Sequence, residues 1–128
     1  MMEKKEPAIR VVMLPKDTNG VGTIFGGVIL SYIDLAGSVE ARMYSKSIQM
    51  LVSVAMDKVE FKAPVFVGDI VSFYTEILKV GNTSITVKVE VIATRQKAPC
   101  ETVPVTSAQV VYVSVDPETR RPVPIEKP

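Results

Sequence analysis

A single acid, Asp34, stands inside the most apolar stretch of the chain, between Leu30-Ser31-Tyr32-Ile33 and Leu35-Ala36-Gly37. A carboxylate there must be paired, hydrogen-bonded or protonated to be tolerated. Desolvation would move its pKa up toward the range of a useful general base. The plainer reading is an acid satisfied by a core hydroxyl or by a subunit-interface partner. Upstream, the polar loop Asp17-Thr18-Asn19-Gly20-Val21-Gly22-Thr23 feeds the double glycine Gly26-Gly27 at a predicted helix start. Bare amides at a helix N-terminus direct partial positive charge outward, and glycine lets a substrate approach the main chain, so the arrangement suits an oxyanion. A tight packed loop is the alternative. The 128 residues include no histidine, which removes Ser-His-Asp and Cys-His nucleophile systems, His-ligated zinc and iron, and reactions that need a His base. Chemistry is left to carboxylates, amides, hydroxyls and main chain.

The other polar residues carry less. Asp17, Asp57 and Asp69 fall in turn or strand-edge contexts and read as solvated. Fifteen Lys and Arg against fourteen Asp and Glu give a net charge of +1, without the basic field that nucleic-acid binding needs. Cys100 is the one cysteine. It can form no internal disulfide and has no second thiol for a metal cage, so a reducing compartment, the cytoplasm, is expected. Residues 1–7 carry charges of both signs with no leader-like apolar run after them. Residues 21–39 are long and apolar enough to test as a membrane span, but Asp34 and the glycines fail that test, so no membrane partner is expected.

The elements that must position these groups follow from periodicity. Ile9 to Leu14 reads as a short strand stopped by Pro15. From Gly26 to about Ser45 helix formers run without proline, and apolar residues on nearly every side predict a helix buried all round. After residue 50 the period becomes two. Leu51 to Phe61, Asp69 to Val80, Ser84 to Thr94 and Pro104 to Val115 read as four strands of an antiparallel meander. Alternation is sharpest in Ser84-Ile85-Thr86-Val87-Lys88-Val89-Glu90-Val91, giving one covered and one wet face. From Asp116 onward four prolines describe a tail. The expectation is one α+β domain over 1–128, a long antiparallel sheet wrapped around a central apolar helix.

Gly27 and Asp34 are seven residues apart, roughly 10.5 Å along a helix, too far for both to act on one carbonyl carbon. A twofold dimer could bring Gly26-Gly27 and Asn19 of one chain beside Asp34 of the other, making two equal sites.

In order and spacing, Asp17-Thr18-Asn19, Gly22-Thr23-Ile24-Phe25-Gly26-Gly27, Asp34, Val59-Glu60-Phe61, Pro64, Val67-Gly68-Asp69 and Gly81-Asn82-Thr83-Ser84 resemble the hotdog-fold acyl-CoA thioesterases of the bacterial YciA-type group. The resemblance runs from about Ile9 to Val115. It implies a hotdog fold and an acyl-CoA substrate cut to free acid and coenzyme A. It makes Asp34 the catalytic carboxylate, Asn19 of the adjacent subunit its polar partner and Gly27 or Gly26 the oxyanion-hole amide. It also implies dimers gathered into hexamers as trimers of dimers. Coenzyme A is then a portion of the substrate, and no cofactor or metal is expected. Lys62, Lys79, Lys88 and Arg95, with Thr83 and Ser84 as hydroxyl donors, are the candidates for its nucleotide phosphates. A non-catalytic acyl-CoA-binding module is the alternative reading, and sustained turnover separates the two.

Overall fold

In the computed structural model, which describes residues 6–128, the proline-free stretch after Phe25 forms one long helix and the period-two stretches form a curled sheet around one side of it. In chain order the strands and helix are β1 (Ile9–Val12), α1 (Gly26–Tyr44), β2 (Met50–Phe61), β3 (Ile70–Val80), β4 (Ser84–Thr94) and β5 (Thr102–Val115), with a 3-10 turn at Pro15–Asp17 after β1. Strand and helix limits fall within two residues of those expected from sequence. The charged residues 1–5 at the N-terminus lie outside the described residues. Among the described residues, no helix is long and apolar enough to cross a membrane.

The sheet is antiparallel throughout, in the order β1-β3-β4-β5-β2. The expected meander therefore holds only for β3, β4 and β5, and β2 leaves it to pair with β5. The cause lies in the connection from Lys62 to Asp69, which is no hairpin turn. Its end is tied to β1, where Met13 N–H donates to Asp69 C=O at 3.0 Å and Gly68 N–H to Met13 C=O at 2.8 Å. β3 then has β1 on one side and β4 on the other, so no slot beside it remains for β2. β2 becomes an outer strand, with no strand on its second edge among the described residues.

Side-chain alternation sets the core. Ile85, Val87, Val89, Val91 and Ala93 of β4 all face inward and are fully buried, as are Val71 and Phe73 of β3. Each such burial stabilises the fold by about 1.5–3 kcal/mol for the larger side chains. The helix contributes Ile29, Ile33, Ala36, Gly37 and Ala41. It is not buried all round, as its composition predicts: Leu35 is 55% exposed, Val39 40% and Met43 81%. A five-stranded sheet covers only the facing side of a helix, so the other apolar side stays open in the protomer.

The C-terminal residues also depart from expectation. They are not a free tail but fold back on the sheet. Val115 bridges Pro122, Val123 N–H donates to Ser114 C=O at 2.8 Å, and Ile125 N–H donates to Asn82 C=O at 2.8 Å. Ile125 is buried against the core, because the prolines hold the chain extended while this one side chain reaches apolar surface.

Candidate active site

Asp34 sits mid-helix on the side of α1 that turns toward β2. It lines an open groove of about 320 Å³ with Ser31, Ser38, Leu51, Ser53 and Tyr112. Within the protomer the carboxylate is half-buried rather than sealed in, so the full desolvation expected of it is not supplied by its own chain. The carboxylate accepts a long hydrogen bond, the Ser53 hydroxyl donating to Oδ2 at 3.4 Å. Ser53 is absent from the candidates drawn from sequence. The available signal was its parity, since a hydroxyl occupies the β2 position two beyond Leu51, on the same face.

The main chain of Asp34 is held from beneath. The buried Tyr112 of β5 donates its hydroxyl to the Asp34 carbonyl at 2.5 Å. The approach is possible because Gly37 has no side chain; a methyl there would overlap the hydroxyl and come within 3.1 Å of two ring carbons. Burial, and then the negative charge of Asp34, push the Tyr112 phenol well above its usual range, so it remains a donor. Tyr112 thereby ties the height of α1, and with it Asp34, to the sheet.

The other end of the helix forms a second groove, of about 430 Å³, lined by Gly26, Ile29, Phe61, Lys62, Pro64 and Thr106 among others. Phe25 is the N-cap and offers no side-chain cap. Val28 N–H donates back to the Phe25 carbonyl at 3.0 Å, whereas the N–H groups of Gly26 and Gly27 have no acceptor among the described residues. Two free donors at the positive end of a helix are what an oxyanion needs. A Cβ at Gly27 would lie 2.6 Å from the ring of the exposed Phe25, which would have to turn aside. In one protomer this groove and that of Asp34 are separate depressions, as the helix arithmetic requires.

The loop before the helix is built by its own side chains. Asn19 Oδ1 accepts from Val21 N–H at 2.8 Å and from Thr23 N–H at 3.4 Å, and its Nδ2 donates to Thr23 Oγ1 at 2.8 Å. The amide of Asn19 thus shapes the loop and keeps one N–H for another partner. Asp17 and Asp69 are not solvated, contrary to expectation: both are buried. Asp17 Oδ2 accepts from Leu14 N–H at 2.9 Å and Oδ1 pairs with Lys16 at 3.0 Å. These contacts, the Leu14 amide first, hold its carboxyl below the usual carboxylate range. Each acid is turned inward because it caps a turn whose amides would otherwise be unpaired.

The residues expected at a nucleotide are not gathered in one place. Arg95 is occupied internally: it pairs with the buried Asp69 at 2.5 Å, donates to the Pro64 carbonyl at 3.1 Å and lies over the Phe66 ring. Removing one partner of such a pair costs about 3–5 kcal/mol, so Arg95 rivets the loop from Pro64 to Asp69. Lys79, Thr83 and Ser84 lie at the β3–β4 hairpin. Lys62 borders the Gly26 groove, where Phe61 aligns with Thr106 and Thr106 with Val91. From Ser84 to Val91 is seven residues of strand, about 23 Å. One protomer therefore cannot close Lys62 and the hairpin residues on a single phosphate group. Lys88 is on β4, beside Glu90 at 3.5 Å.

Comparison with known proteins gives four findings of one kind. The description "Thioesterase superfamily" matches residues 21–100. The acyl-CoA thioester hydrolase YciA of Salmonella typhimurium is 35% identical over 131 residues, covering 94% of this chain and 92% of that protein. Among solved structures, a hexameric hotdog fold thioesterase of Campylobacter jejuni superposes with a TM-score of 0.88 at 49% identity, over 95% of this chain and 91% of that one. A hexameric broad specificity acyl-coenzyme A thioesterase superposes with a TM-score of 0.87 at 36% identity, over 97% and 83%.

Proposed function

The chain belongs to the thioesterase superfamily, and from that membership we propose that it hydrolyses acyl-CoA thioesters to a free carboxylic acid and coenzyme A. The observation that carries the reading is the division of the required groups between the two ends of one helix: a carboxylate with a hydroxyl neighbour at Asp34 and Ser53, and two acceptor-free amides at Gly26 and Gly27.

A second copy joins the two ends. Gly26 lies against Phe61, with a built Cβ 3.5 Å from the ring, and Asp34 lies against Ser53. Phe61 and Ser53 are eight residues apart on β2, the strand with an open edge. An antiparallel β2–β2 pairing about a twofold axis beside Asp57 brings Ser53 and Asp34 of one protomer opposite Phe61, Gly26 and Gly27 of its partner. The open apolar side of α1 gains cover in the same step. Three such dimers make a hexamer, the assembly of the Campylobacter jejuni relative. A cytoplasmic location belongs to the same reading, supported by the lone exposed Cys100.

In this site the Gly26 and Gly27 amides of one protomer donate to the thioester oxygen as it becomes an oxyanion, each donor contributing on the order of 2.7–4 kcal/mol. Asp34 of the other activates water as general base, or attacks the carbonyl carbon to give an anhydride that water opens. Asn19, of the same protomer as the amides, turns its remaining N–H to the thioester or water. Coenzyme A leaves as the thiol. The test is Asp34→Asn, assayed by release of free thiol from a panel of short to long acyl-CoA esters. Loss of at least 100-fold in kcat with the assembly intact is expected. Thiol release at the wild-type rate overturns the assignment, and a wild type that binds acyl-CoA without turnover makes the chain a binding module.

A further inference from the structure

The convex face of the sheet, away from the helix, holds a depression of about 240 Å³ that the proposed chemistry does not use. Its centre is a bulge in β2: the register with β5 shifts between Asp57 and Glu60, and Lys58 within it has a φ of 52°. A residue with a Cβ rarely adopts the left-handed region, and a bulge turns a side chain away from where the regular ladder would send it. Lys58 lines the depression with Lys62 and Lys88. Lys88 has Glu90 at 3.5 Å, whereas Lys58 and Lys62 have no carboxylate partner among the described residues. Ser107, only 8% exposed, lines it as well. Gln109 adds an amide donor beside it. Two ammonium groups without a carboxylate partner, with a hydroxyl and an amide donor beside them, suit a compact, multiply charged oxyanion. Glu60 and Glu90 line it too, which leaves the three lysines an excess of one positive charge.

Lys62 borders both this depression and the groove at Gly26, so the two meet at its side chain. We propose that the Lys58–Lys62–Lys88 depression holds phosphate groups of the substrate's nucleotide end while the thioester lies at the helix N-terminus. The proposal rests on the thioesterase reading and assigns Lys58 a role in substrate binding that its strained backbone supports. Free nucleotides carry the same phosphate chemistry, and the experiment separates the two sources.

The kinetics of Lys58→Ala are measured on an acyl-CoA and on the same acyl group carried by pantetheine, which lacks the nucleotide. The expected result is a KM for acyl-CoA raised about 10-fold relative to that for acyl-pantetheine, with the gap shrinking as salt rises. Lys58→Gly, which suits the left-handed backbone, gives the same result if the alanine variant fails to fold. An equal change on both substrates, or none on acyl-CoA, overturns the proposal. So does binding of adenosine 3′,5′-bisphosphate that is lost in the variants while the KM for acyl-CoA stays put, since the site would then serve a free nucleotide. Should wild type hydrolyse neither ester, the thioesterase reading fails by itself. Equilibrium dialysis of coenzyme A against wild type and variant then decides the phosphate site, and equal affinity refutes it.

Discussion

Replacing Gly37 by alanine should weaken a protein that the same change would strengthen in most helices. In a helix interior Gly→Ala ordinarily gains about 1 kcal/mol. Here the added methyl overlaps the Tyr112 hydroxyl and presses on two ring carbons at 3.1 Å. Overpacking costs about 1–3 kcal/mol. Pushing the hydroxyl off the Asp34 carbonyl leaves a buried donor unpaired, at a further 1–3 kcal/mol or so. The net loss is about 1–5 kcal/mol. Tyr112→Phe alone gives up one hydrogen bond, about 1 kcal/mol. In the double variant the overlap with oxygen and the unpaired donor are gone and the helix keeps its propensity gain, leaving only the 3.1 Å contacts with two ring carbons, so most of the lost stability returns. The two changes therefore couple by about 2 kcal/mol or more, an effect of the size seen for residues in direct contact. Urea unfolding of all four proteins at one protein concentration measures this, because assembly adds to apparent stability. A Gly37→Ala variant as stable as wild type, or strict additivity, would refute the claim that the missing side chain exists to admit the tyrosine.

Two further outcomes follow from features described above. In a Cys100→Ser background, Asp57→Cys should form a disulfide-linked dimer under mild oxidation. A twofold axis beside residue 57 brings the two Cα atoms to about 4.5–5.5 Å, within disulfide reach, and a chain that stays monomeric on a non-reducing gel rules out the β2 pairing. Asp17, held below the usual carboxylate range, contributes stability that is fully present above its unfolded pKa of about 3.9 and is lost as pH falls through its lower folded value. Thermal melts from pH 6 down to 2 should therefore show a smaller acid-induced loss in Asp17→Asn than in wild type, and parallel curves would exclude that contribution.

Elements with a strong period were readable from residues alone. β4 alternates without interruption, and its limits, Ser84 to Thr94, coincide with expectation. α1 begins at the double glycine because nothing after it breaks a helix. What composition could not convey was pairing. β2 reads like its neighbours, and only the tie between Gly68-Asp69 and Met13, a contact far apart in sequence, decides that it lies beside β5. Of the two inward-turned acids, Asp69 shares that cause through Arg95, which is distant in the chain, whereas Asp17 is held by its near neighbours Leu14 and Lys16. Asp34 stood out as a charge among apolar residues. Ser53 and Tyr112 did not, since serine and tyrosine are ordinary strand residues and their value lies in facing one turn of α1. An apolar helix likewise announces that it will be covered, without saying whether its own sheet or another chain does the covering.

The free edge of β2 bears on how a newly made chain avoids the wrong company. A twelve-residue strand with no neighbour on one edge among the described residues is an invitation to any passing strand and a common origin of aggregates. This ledge is broken by register shifts at two places and carries Asp57, Lys58 and Glu60 at its middle. A straight foreign strand cannot follow it. In the β2–β2 pairing proposed above, another copy presents the same irregularities in reverse order, so the defects that discourage strangers would also act as a key for self-recognition.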